Sequence, residues 1–465
     1  MKVEVVSKER IKPSSPTPDH LKTYSLSFLD QLALPIYFPL LLYYTSGSND
    51  DSAKTTIERA DEFCSVIKKS LAKTLTKFYP LAGKLIDDRF VECNDDGVDY
   101  LETEVINCQL SQLIQHPNIM PERRKKLLPF DPNDAAISNS VEPPTLVSVQ
   151  VNCFECGGIV IGLYIYHKLA DASTLVTFIN DWANIARGIA VDDHDKQMEG
   201  PSFSLQSLFP QRVRDSTSYK PPNSVTRDEP PVTKKFVFEG SRLADLKKKG
   251  EVANENEDVQ DQYQPTRVEA VSALLWSCII DMDQAKKKEV SSVRAYIAAH
   301  AVNMRSRMVP PLPANSFGNM TCLSVALHTF TDTESTKKNH QCRNILTGKI
   351  RESMKKIDGE YVKQQLQTSD TFSNALKIIK NENDFPPSGP KRLMLIFTSW
   401  CRFPVYEANF GWGKPIWASI CTLPLKNMVL LMDTSSGDGI EAWVSLSKED
   451  MYEFERHEEL LVYIS

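Results

Sequence analysis

Residues 159–188 have the sequence IVIGLYIYHKLADASTLVTFINDWANIARG, in which a strand, a short connection and a helix follow one another. The run Ile159–Tyr166 is apolar without interruption, which is typical of a central strand buried on both faces. After Asp171 the apolar residues recur at helical spacing and stop at Gly188, a residue type that often ends helices. His167 therefore lies in a strand-to-helix connection, where a rigid scaffold can hold a side chain and leave it exposed.

The pair His167 and Asp171 allows four interpretations: a metal half-site, part of a nucleophile relay, a lone general base, or two structural residues. A histidine and an aspartate at positions i and i+4 can share a metal on a helix, but His167 precedes the predicted helix. The other histidines are isolated in the sequence, so a metal site is disfavoured, although a distant ligand stays open. No G-x-S-x-G nucleophile elbow occurs, and the segment Gly411–Lys414 lacks the spacing of a phosphate-binding loop.

Two interpretations of His167 remain open from these residues alone. A histidine with a near-neutral pKa can take a proton from an alcohol that attacks an acyl carbonyl, which typically accelerates the reaction by about 10²–10⁴-fold. A thioester such as an acyl-CoA is already activated, so this reaction needs no covalent nucleophile on the enzyme. The alternative is a hydrogen-bonded structural histidine at the end of a strand. Asp171 is interpreted most simply as the N-cap of the following helix.

The composition limits the class of protein. The chain has 465 residues, which predicts two domains or one large composite unit, and its formal net charge of −6 disfavours a nucleic-acid partner. The N-terminus shows no secretory signal, and the longest apolar stretch, Leu32–Tyr44, is too short to span a bilayer and predicts a buried strand. Ten cysteines without a signal predict reduced thiols in a cytoplasmic protein with no membrane partner. The Cys153-x-x-Cys156 pair has no second pair at zinc spacing and is interpreted as structural.

The rest of the first half alternates helices and strands. Helical spacing predicts a helix over Ile57–Leu75, and two short strands are predicted on either side of the turn Asn94–Gly97. The Pro-, Asp- and Ser-rich segment 191–232 is much longer than an ordinary connection. It is interpreted as a crossover linker between an N-terminal domain, residues 1–190, and a C-terminal domain, residues 233–465.

The second half repeats the mixed α/β pattern. A capping box, Thr266-x-x-Glu269, opens a predicted helix. Six strands are predicted after that helix: Arg294–Val302, Thr321–Leu327, Leu393–Thr398, Trp417–Leu423, Met428–Met432 and Glu441–Leu446.

A glycine-bracketed aromatic turn, Asn409-Phe-Gly-Trp-Gly413, adds a second motif to His167-x-x-x-Asp171. Together they resemble the H-x-x-x-D and D-F-G-W-G boxes of the plant BAHD acyl-CoA-dependent acyltransferases. Further stretches match that family in the expected order over nearly the whole chain: SFLDQ (27–31), FYPLAGKL (78–85), CNDDGV (93–98), VNMRSRM (302–308), SFGNM (316–320) and FTSWCRFPVYEANFGWGKP (397–415). Within the family, residues 11–18 and 431–444 look most like the alkaloid-acetylating enzymes related to vinorine synthase.

The resemblance implies a fold of two similar-sized α/β domains with mixed sheets, like chloramphenicol acetyltransferase, with a long crossover and an interdomain channel. It implies an acyl-CoA-dependent O-acyltransferase that acts as a monomer, uses acetyl-CoA as cosubstrate and holds no metal or permanently bound cofactor. The acceptor is expected to be a small-molecule alcohol, a hydroxyl of a plant specialised metabolite such as an indole alkaloid.

The resemblance also implies catalytic roles. His167 is expected to act as the general base, and Trp400 to donate its indole N–H to the developing oxyanion. Thr398 is expected to help orient the acceptor. From the residues alone, packing at a strand end is the alternative for both Trp400 and Thr398.

Asp171 is expected to support the site without touching substrate. By family position it pairs with Arg305, with Arg307 as the alternative, and so fixes the loop that aims His167. Four residues are expected to lie on the CoA side: Thr266, Arg267, Arg305 and Arg307. Any of these arginines could equally form an ordinary surface or structural ion pair.

Asn409 departs from the family pattern, which has aspartate at this position. A catalytic acid lost here would leave the protein crippled, whereas a structural role survives because an amide oxygen still accepts a hydrogen bond. We predict an active enzyme in which Asn409 supports the site, and which Asn409→Asp would stabilise. The alternatives kept open are an amine acceptor, a malonyl or other acyl donor, and a noncatalytic ligand-binding descendant of the fold. A malonyl donor is disfavoured because Ser316–Met320 lacks the Tyr and Cys of the Y-F-G-N-C pattern.

Overall fold

The computed structural model of the chain describes residues 1–45, 56–115, 118, 121–131, 145–188, 200–212, 230–249, 264–286, 294–329, 339–367 and 391–465. The chain divides into two compact units. The first consists of Met1–Tyr219, Pro313–Met320 and Phe403–Thr422, and the second of Lys220–Leu312, Thr321–Arg402 and Leu423–Ser465.

This division differs from the predicted domains in two respects. The first unit extends to Tyr219, so the boundary lies inside the predicted crossover 191–232. The C-terminal domain was predicted as the continuous range 233–465, whereas two pieces of that range, Pro313–Met320 and Phe403–Thr422, belong to the first unit. Both pieces make hydrogen bonds with residues far away in the sequence, which local patterns do not reveal. The predicted crossover 191–232 lies mostly outside the described residues.

The elements up to residue 208 follow in chain order. They are β1 Lys2–Ile11, β2 Thr23–Ser25, α1 Phe28–Leu32, β3 Tyr37–Tyr44, α2 Thr56–Lys77, β4 Lys84–Ile86, β5 Phe90–Glu92, β6 Val98–Ile106, α3 Leu110–Gln115, α4 Pro121–Lys125, β7 Val147–Phe154, β8 Ile159–Tyr166, α5 Ala172–Ala186 and α6 Leu205–Leu208. No helix among the described residues is long and apolar enough to cross a membrane.

The remaining elements begin at residue 232. They are β9 Val232–Phe238, α7 Gly240–Lys249, α8 Arg267–Ala285, β10 Arg294–Asn303, β11 Thr321–Thr329, α9 Asn339–Lys355, α10 Gly359–Gln367, β12 Lys391–Ser399, β13 Trp417–Ser419, β14 Met428–Asp433, β15 Ile440–Leu446, α11 Lys448–Phe454 and α12 Glu458–Leu461.

The first unit is built on a six-stranded mixed sheet with the order β1-β6-β7-β8-β3-β13. The β6–β7 pair is parallel and the other pairs are antiparallel. β8 lies between β7 and β3, and every residue from Val160 to Tyr166 is buried, which confirms the predicted central strand. Helices α2 and α5 pack together, and Trp182 Nε1 donates to Ile67 O at 3.2 Å and to Ser70 Oγ at 3.0 Å. A separate three-stranded sheet has the order β2-β5-β4.

The second unit contains another six-stranded mixed sheet, with the order β11-β10-β12-β14-β15-β9. The β10–β12 and β12–β14 pairs are parallel, so the carboxyl ends of these strands meet at one edge. Helix α8 is buried almost all round and shares an apolar core with the inner face of this sheet. The predicted capping box at its start is confirmed, since Thr266 N donates to Glu269 Oε2 at 2.8 Å and Glu269 N donates to Thr266 Oγ1 at 3.2 Å.

Two predicted strands, Leu32–Tyr44 and Trp417–Leu423, differ from the structure. Leu32–Tyr44 is wrong as one strand, because Leu32 ends helix α1 and β3 begins only at Tyr37. The two strands predicted beside the turn Asn94–Gly97 are confirmed; β5 belongs to the small sheet and β6 to the large one. The predicted strand Trp417–Leu423 stops at Ser419, because it pairs with β3 at only three positions. The ends of a strand depend on the strand with which it pairs, and local periodicity does not identify that partner.

Candidate active site

His167 directly follows the buried strand β8, and three contacts fix its position. Its backbone N–H donates to Ile36 O at 2.9 Å, and its ring meets Phe38 edge to face with the centroids 4.5 Å apart. Nδ1 lies 3.1 Å from Ala170 O. Because a carbonyl oxygen only accepts, the proton of the neutral ring is on Nδ1, and the lone pair is on Nε2. No residue in the described ranges forms a hydrogen bond with Nε2.

The protonation state of His167 follows from its surroundings. Burial lowers the pKa of His167 below its ordinary value of 6.5, because the charged imidazolium loses water. The Ala170 carbonyl and the Asp171 carboxylate raise this pKa, but they do not overcome burial. The imidazole is therefore neutral at pH 7, which is the form that a general base needs.

Asp171 is buried at the start of helix α5, where its carboxylate accepts hydrogen bonds from two separate segments. Oδ1 accepts from Thr174 N at 3.0 Å, which confirms the predicted N-cap. Oδ2 accepts from Met320 N at 2.9 Å, so the same carboxylate also holds the segment Pro313–Met320. The predicted pairing of Asp171 with Arg305 stays a prediction.

Lys168 also connects the His167 loop to other segments, although the sequence analysis assigned it no role. It is 2% exposed, and its Nζ donates to Gln31 O at 3.0 Å and to Asp88 Oδ2 at 2.8 Å. The signal in the sequence was a lysine close to the end of an apolar strand, because a lysine that becomes buried there requires a partner for its charge. Its two partners lie in other segments, and only the fold brings them to it.

Asn319 and Asp30 were also missed, although both lie in stretches that carried the family resemblance. Asn319 Nδ2 donates to the backbone oxygen of His167 at 2.8 Å and to Asp30 Oδ1 at 2.9 Å. Asn319 N donates to the same Asp30 oxygen at 2.7 Å. An aspartate among apolar neighbours in SFLDQ was the available signal, because a buried carboxylate requires hydrogen-bond donors.

Asn409 lies in the first unit and shapes a tight turn. Its Oδ1 accepts from Gly411 N at 2.9 Å and from Gly413 N at 3.1 Å. Both glycines have positive φ, +113° and +100°, where a side chain would be strained. The buried ring of Phe410 packs against Trp182 with centroids 5.0 Å apart. In this geometry the amide oxygen stabilises the turn, and the supporting role of Asn409 toward the site stays a prediction.

Thr398 and Trp400 lie in the second unit at the carboxyl end of β12. Thr398 is opposite Leu430 in the parallel β12–β14 pair. Trp400 is 3% exposed, and its backbone N–H donates to Leu431 O at 2.7 Å. Carboxyl ends of parallel strands are frequent positions for functional side chains in α/β sheets. The predicted roles of both residues toward oxyanion and acceptor stay predictions.

Arg267 and Thr266, two of the residues predicted on the CoA side, have local contacts in the second unit. Thr266 is the N-cap of α8. Arg267 donates to the backbone oxygens of Gly437 at 2.7 Å and Asp438 at 3.0 Å, and to Asp433 Oδ1 at 2.9 Å. The second oxygen of Asp433 accepts from the N–H of Arg402, two residues after Trp400, at 2.6 Å.

Arg305 and Arg307 lie in the short turn after β10. Arg305 is 2% exposed and donates from Nη1 to Asn303 Oδ1 at 3.3 Å. Arg307 donates from Nη1 to Met354 O at 2.7 Å and Ile357 O at 2.5 Å, at the end of α9. These contacts show what holds the side chains locally, and contact with CoA stays a prediction for all four residues.

The ring of His167 has a backbone carbonyl as its hydrogen-bond partner within the described ranges, and its role as a base stays a prediction. None of the hydrogen bonds of its ring within the described ranges involves a hydroxyl, thiol or carboxylate. Over the same part of the chain, no group of three or more His, Cys, Asp or Glu side chains could hold a metal ion. Cys153 lies near Cys64, with 4.0 Å between the sulfurs, and Cys156 is exposed.

Comparison with known proteins gives a consistent result at family level. A family model described as "Transferase family" matches residues 1–461. A stemmadenine O-acetyltransferase from Catharanthus roseus is 36% identical over 453 residues, which cover 97% of this chain and 95% of that protein. Other relatives are named as limonoid O-acetyltransferases of Melia azedarach and Citrus sinensis.

Solved structures show the same fold. The crystal structure of vinorine synthase matches with a TM-score of 0.76 and 33% identity, and covers 100% of this chain and 99% of that chain. TRI101 from F. sporotrichioides, complexed with coenzyme A and T-2, matches with a TM-score of 0.67 and 16% identity over 95% of this chain and 99% of that one. At that identity the second likeness concerns the fold alone.

Proposed function

The chain belongs to the Transferase (BAHD) family and is an acyl-CoA-dependent O-acyltransferase, and from this premise we propose that it transfers acetyl from acetyl-CoA to a hydroxyl of a plant specialised metabolite, with His167 as the general base. The observation that carries the proposal is the ring of His167. Its Nδ1–H donates to Ala170 O at 3.1 Å, and burial lowers its pKa, so a neutral ring presents its lone pair at Nε2.

The proposed reaction has three steps. Nε2 of His167 takes the proton of the acceptor hydroxyl as the oxygen attacks the thioester carbon, which forms the new C–O bond and a tetrahedral oxyanion. The oxyanion collapses, the C–S bond breaks, and the ester and the CoA thiolate are formed. The imidazolium then returns its proton to the thiolate, so that the enzyme ends the cycle unchanged.

Trp400 and Thr398 take the roles that the family resemblance implies. The indole N–H of Trp400 is proposed to donate to the oxyanion, where the loss of one donor typically lowers kcat by about 10²–10³-fold. Thr398 is proposed to orient the acceptor hydroxyl. Thr266, Arg267, Arg305 and Arg307 are proposed as residues on the CoA side, with Asp171 and Asn409 as supports of the site.

The acceptor class is supported by relatives and not by geometry. The stemmadenine O-acetyltransferase is named for an alkaloid acceptor, and other relatives are named for limonoids. We propose an indole alkaloid hydroxyl as the first acceptor class to test, with limonoid alcohols as the second. We also propose that the enzyme acts as a monomer and that it works in the cytoplasm. The ten cysteines, all free thiols, support the proposed compartment and do not bear on the oligomeric state.

The test is donor and acceptor profiling by mass spectrometry, with thiol release measured in parallel. Purified protein is incubated with acetyl-CoA or malonyl-CoA and a panel of alkaloid and limonoid alcohols. We expect acetyl ester and free thiol in equal amounts, and about 10²–10⁴-fold slower turnover for His167→Ala. The matched control is His20→Ala, a histidine exposed in the same unit, which should keep wild-type turnover.

Two results would contradict the proposal. Binding of alcohols without any thiol release would support a noncatalytic descendant of the fold. Turnover of His167→Ala equal to that of wild type would remove His167 as the base. Transfer of malonyl in preference to acetyl would correct the donor and leave the mechanism intact.

A further inference from the structure

Asp30 is a fully buried carboxylate in the short helix α1, with 0% of its surface exposed. Four donors reach its two oxygens. Oδ2 accepts from Ser27 N at 2.9 Å and from Ser27 Oγ at 2.6 Å. Oδ1 accepts from Asn319 N at 2.7 Å and from Asn319 Nδ2 at 2.9 Å. Oδ2 therefore accepts from the N-cap residue of its own helix, and Oδ1 accepts from a residue 289 positions away.

The Asn319 amide connects this carboxylate to the catalytic histidine. The same Nδ2 group that donates to Asp30 also donates to the backbone oxygen of His167 at 2.8 Å. An amide nitrogen has two hydrogens, so both are used and the amide plane is fixed by two oxygens. The carbonyl carbon of His167 is bonded to the Cα atom that carries the imidazole. A shift of Asn319 that displaces this peptide group would therefore displace the Cα atom and the ring with it.

Helix α1 contacts the His167 loop at a second point. The backbone oxygen of Gln31, the residue after Asp30, accepts from Lys168 Nζ at 3.0 Å. The five-residue helix α1 is therefore connected to the loop twice. Asp30 binds Asn319, which donates to the His167 carbonyl, and Gln31 accepts from Lys168. This arrangement makes α1 the common support of the loop.

The chemistry of Asp30 is unusual for a residue that only stabilises the fold. No Lys or Arg forms an ion pair with it among the described residues, and burial raises the pKa of its carboxyl to about 6. An asparagine would not replace it well, because asparagine has one acceptor oxygen and presents two hydrogens toward donors. The donors around this position require a side chain that only accepts hydrogen bonds. Two of the four donors belong to Asn319.

We propose that Asp30 is a positioning residue for acyl transfer: its Oδ1 fixes the Asn319 amide, which fixes the backbone carbonyl of His167 and so the aim of Nε2. This inference rests on the proposed function, since it assumes that His167 is the base. It assigns no contact between Asp30 and substrate.

The experiment is a double-mutant cycle read out in kcat and KM with acetyl-CoA and the best acceptor alcohol from the panel. Asp30→Asn and Asn319→Ala should each lower kcat by about 10–100-fold, because a base displaced by about 1 Å loses on the order of 10². KM for acetyl-CoA should change by less than about threefold, since neither change alters uniform binding. The double variant should be no slower than the slower single variant, because both changes break one chain of contacts.

Thr103→Val is the matched control. It removes a buried hydrogen bond of the same unit, from Thr103 Oγ1 to Asn152 Oδ1 at 2.8 Å, so it should lower the free energy of unfolding while kcat stays within about twofold of wild type. If Asp30 only stabilised the fold, kcat would fall together with the free energy of unfolding in every variant. The proposed role predicts that kcat falls in Asp30→Asn and Asn319→Ala and not in the control, although the control also loses stability.

The outcomes are distinct. A folded Asp30→Asn variant with wild-type kcat, or kcat losses that multiply in the double variant, would overturn the inference. Should Asp30→Asn not yield folded protein, Asn319→Ala decides alone, and a wild-type kcat there overturns the inference equally. Wild type and His167→Ala are measured alongside, and an undiminished rate for His167→Ala would refute the proposed function itself.

Discussion

Asn409 is the position at which the sequence departs from the D-F-G-W-G box that it resembles, and its geometry makes a sharp prediction. Oδ1 accepts from the N–H groups of Gly411 at 2.9 Å and Gly413 at 3.1 Å. Asn409→Asp would keep both acceptor contacts and add a negative charge to them. Asn409→Ala would remove both contacts and leave two exposed N–H groups for water.

The magnitudes follow from the two bonds. A neutral hydrogen bond contributes about 1 kcal/mol net, and a bond to a charged acceptor is roughly twice as strong. Asn409 is partly exposed, and Glu407 places a like charge two residues away, so the gain must be discounted for screening and repulsion. We expect Asn409→Asp to raise the free energy of unfolding by about 0.5–1 kcal/mol. Asn409→Ala should lower it by about 1–2 kcal/mol.

The assay combines urea unfolding with initial rates of acetyl transfer. Because Asn409 is predicted to act through the turn only, kcat of Asn409→Asp should stay within about twofold of wild type. A hundredfold higher turnover without any change in stability would refute this reasoning. That result would mean that the family carboxylate takes part in the chemistry.

Three further predictions concern pH and packing. The proposed mechanism requires a neutral His167, and burial lowers the pKa of His167 below 6.5. We therefore expect kcat/KM to fall as pH drops through a midpoint below 6.5, and a pH–rate profile with a higher midpoint contradicts this. Burial raises the folded pKa of Asp30 from 3.8 to about 6, so stability that is fully present below pH 3.8 is lost as pH rises through 6. Relative to Asp30→Asn, the free energy of unfolding of wild type in urea should fall by about 2 kcal/mol between pH 4 and pH 7, and a pH-independent difference refutes it. A Cβ on Gly162 would lie 2.1 Å from Leu127 O, whereas one on Gly348 in helix α9 would have no atom of the described residues within 4 Å outside its own helix backbone. Gly162→Ala should therefore unfold more easily by about 3 kcal/mol or more, Gly348→Ala should gain about 0.5–1 kcal/mol, and equal urea midpoints would contradict both.

Elements with strong local periodicity were predictable from the sequence. Strand β8 and helix α5 occupy the positions that apolar spacing indicates, and Asp171 caps the helix as expected. Helix α2 extends over the predicted range Ile57–Leu75. In these cases hydrogen bonds join residues about four positions apart, or burial repeats along one strand, so the pattern and its cause lie in the same short stretch.

The errors have the opposite cause. Leu32–Tyr44 is apolar throughout, and apolarity alone does not separate a capped helical turn from the strand that follows it. Phe403–Thr422 was assigned to the second domain, but β13 pairs with β3 in the first unit. Strand pairing depends on which chain segments meet, and no local rule specifies the partner.

The sequence by itself determined where His167 stands, between a buried strand and a capped helix, and which motifs surround it. Only the tertiary structure decided what holds it there. Asn319 lies 152 positions from His167, and Asp30 lies 289 positions from Asn319, yet hydrogen bonds of 2.7–2.9 Å connect them. The physical reason is the sequence distance over which each interaction acts. Periodicity and capping join residues a few positions apart, whereas buried donors and acceptors meet their partners only after the chain has folded.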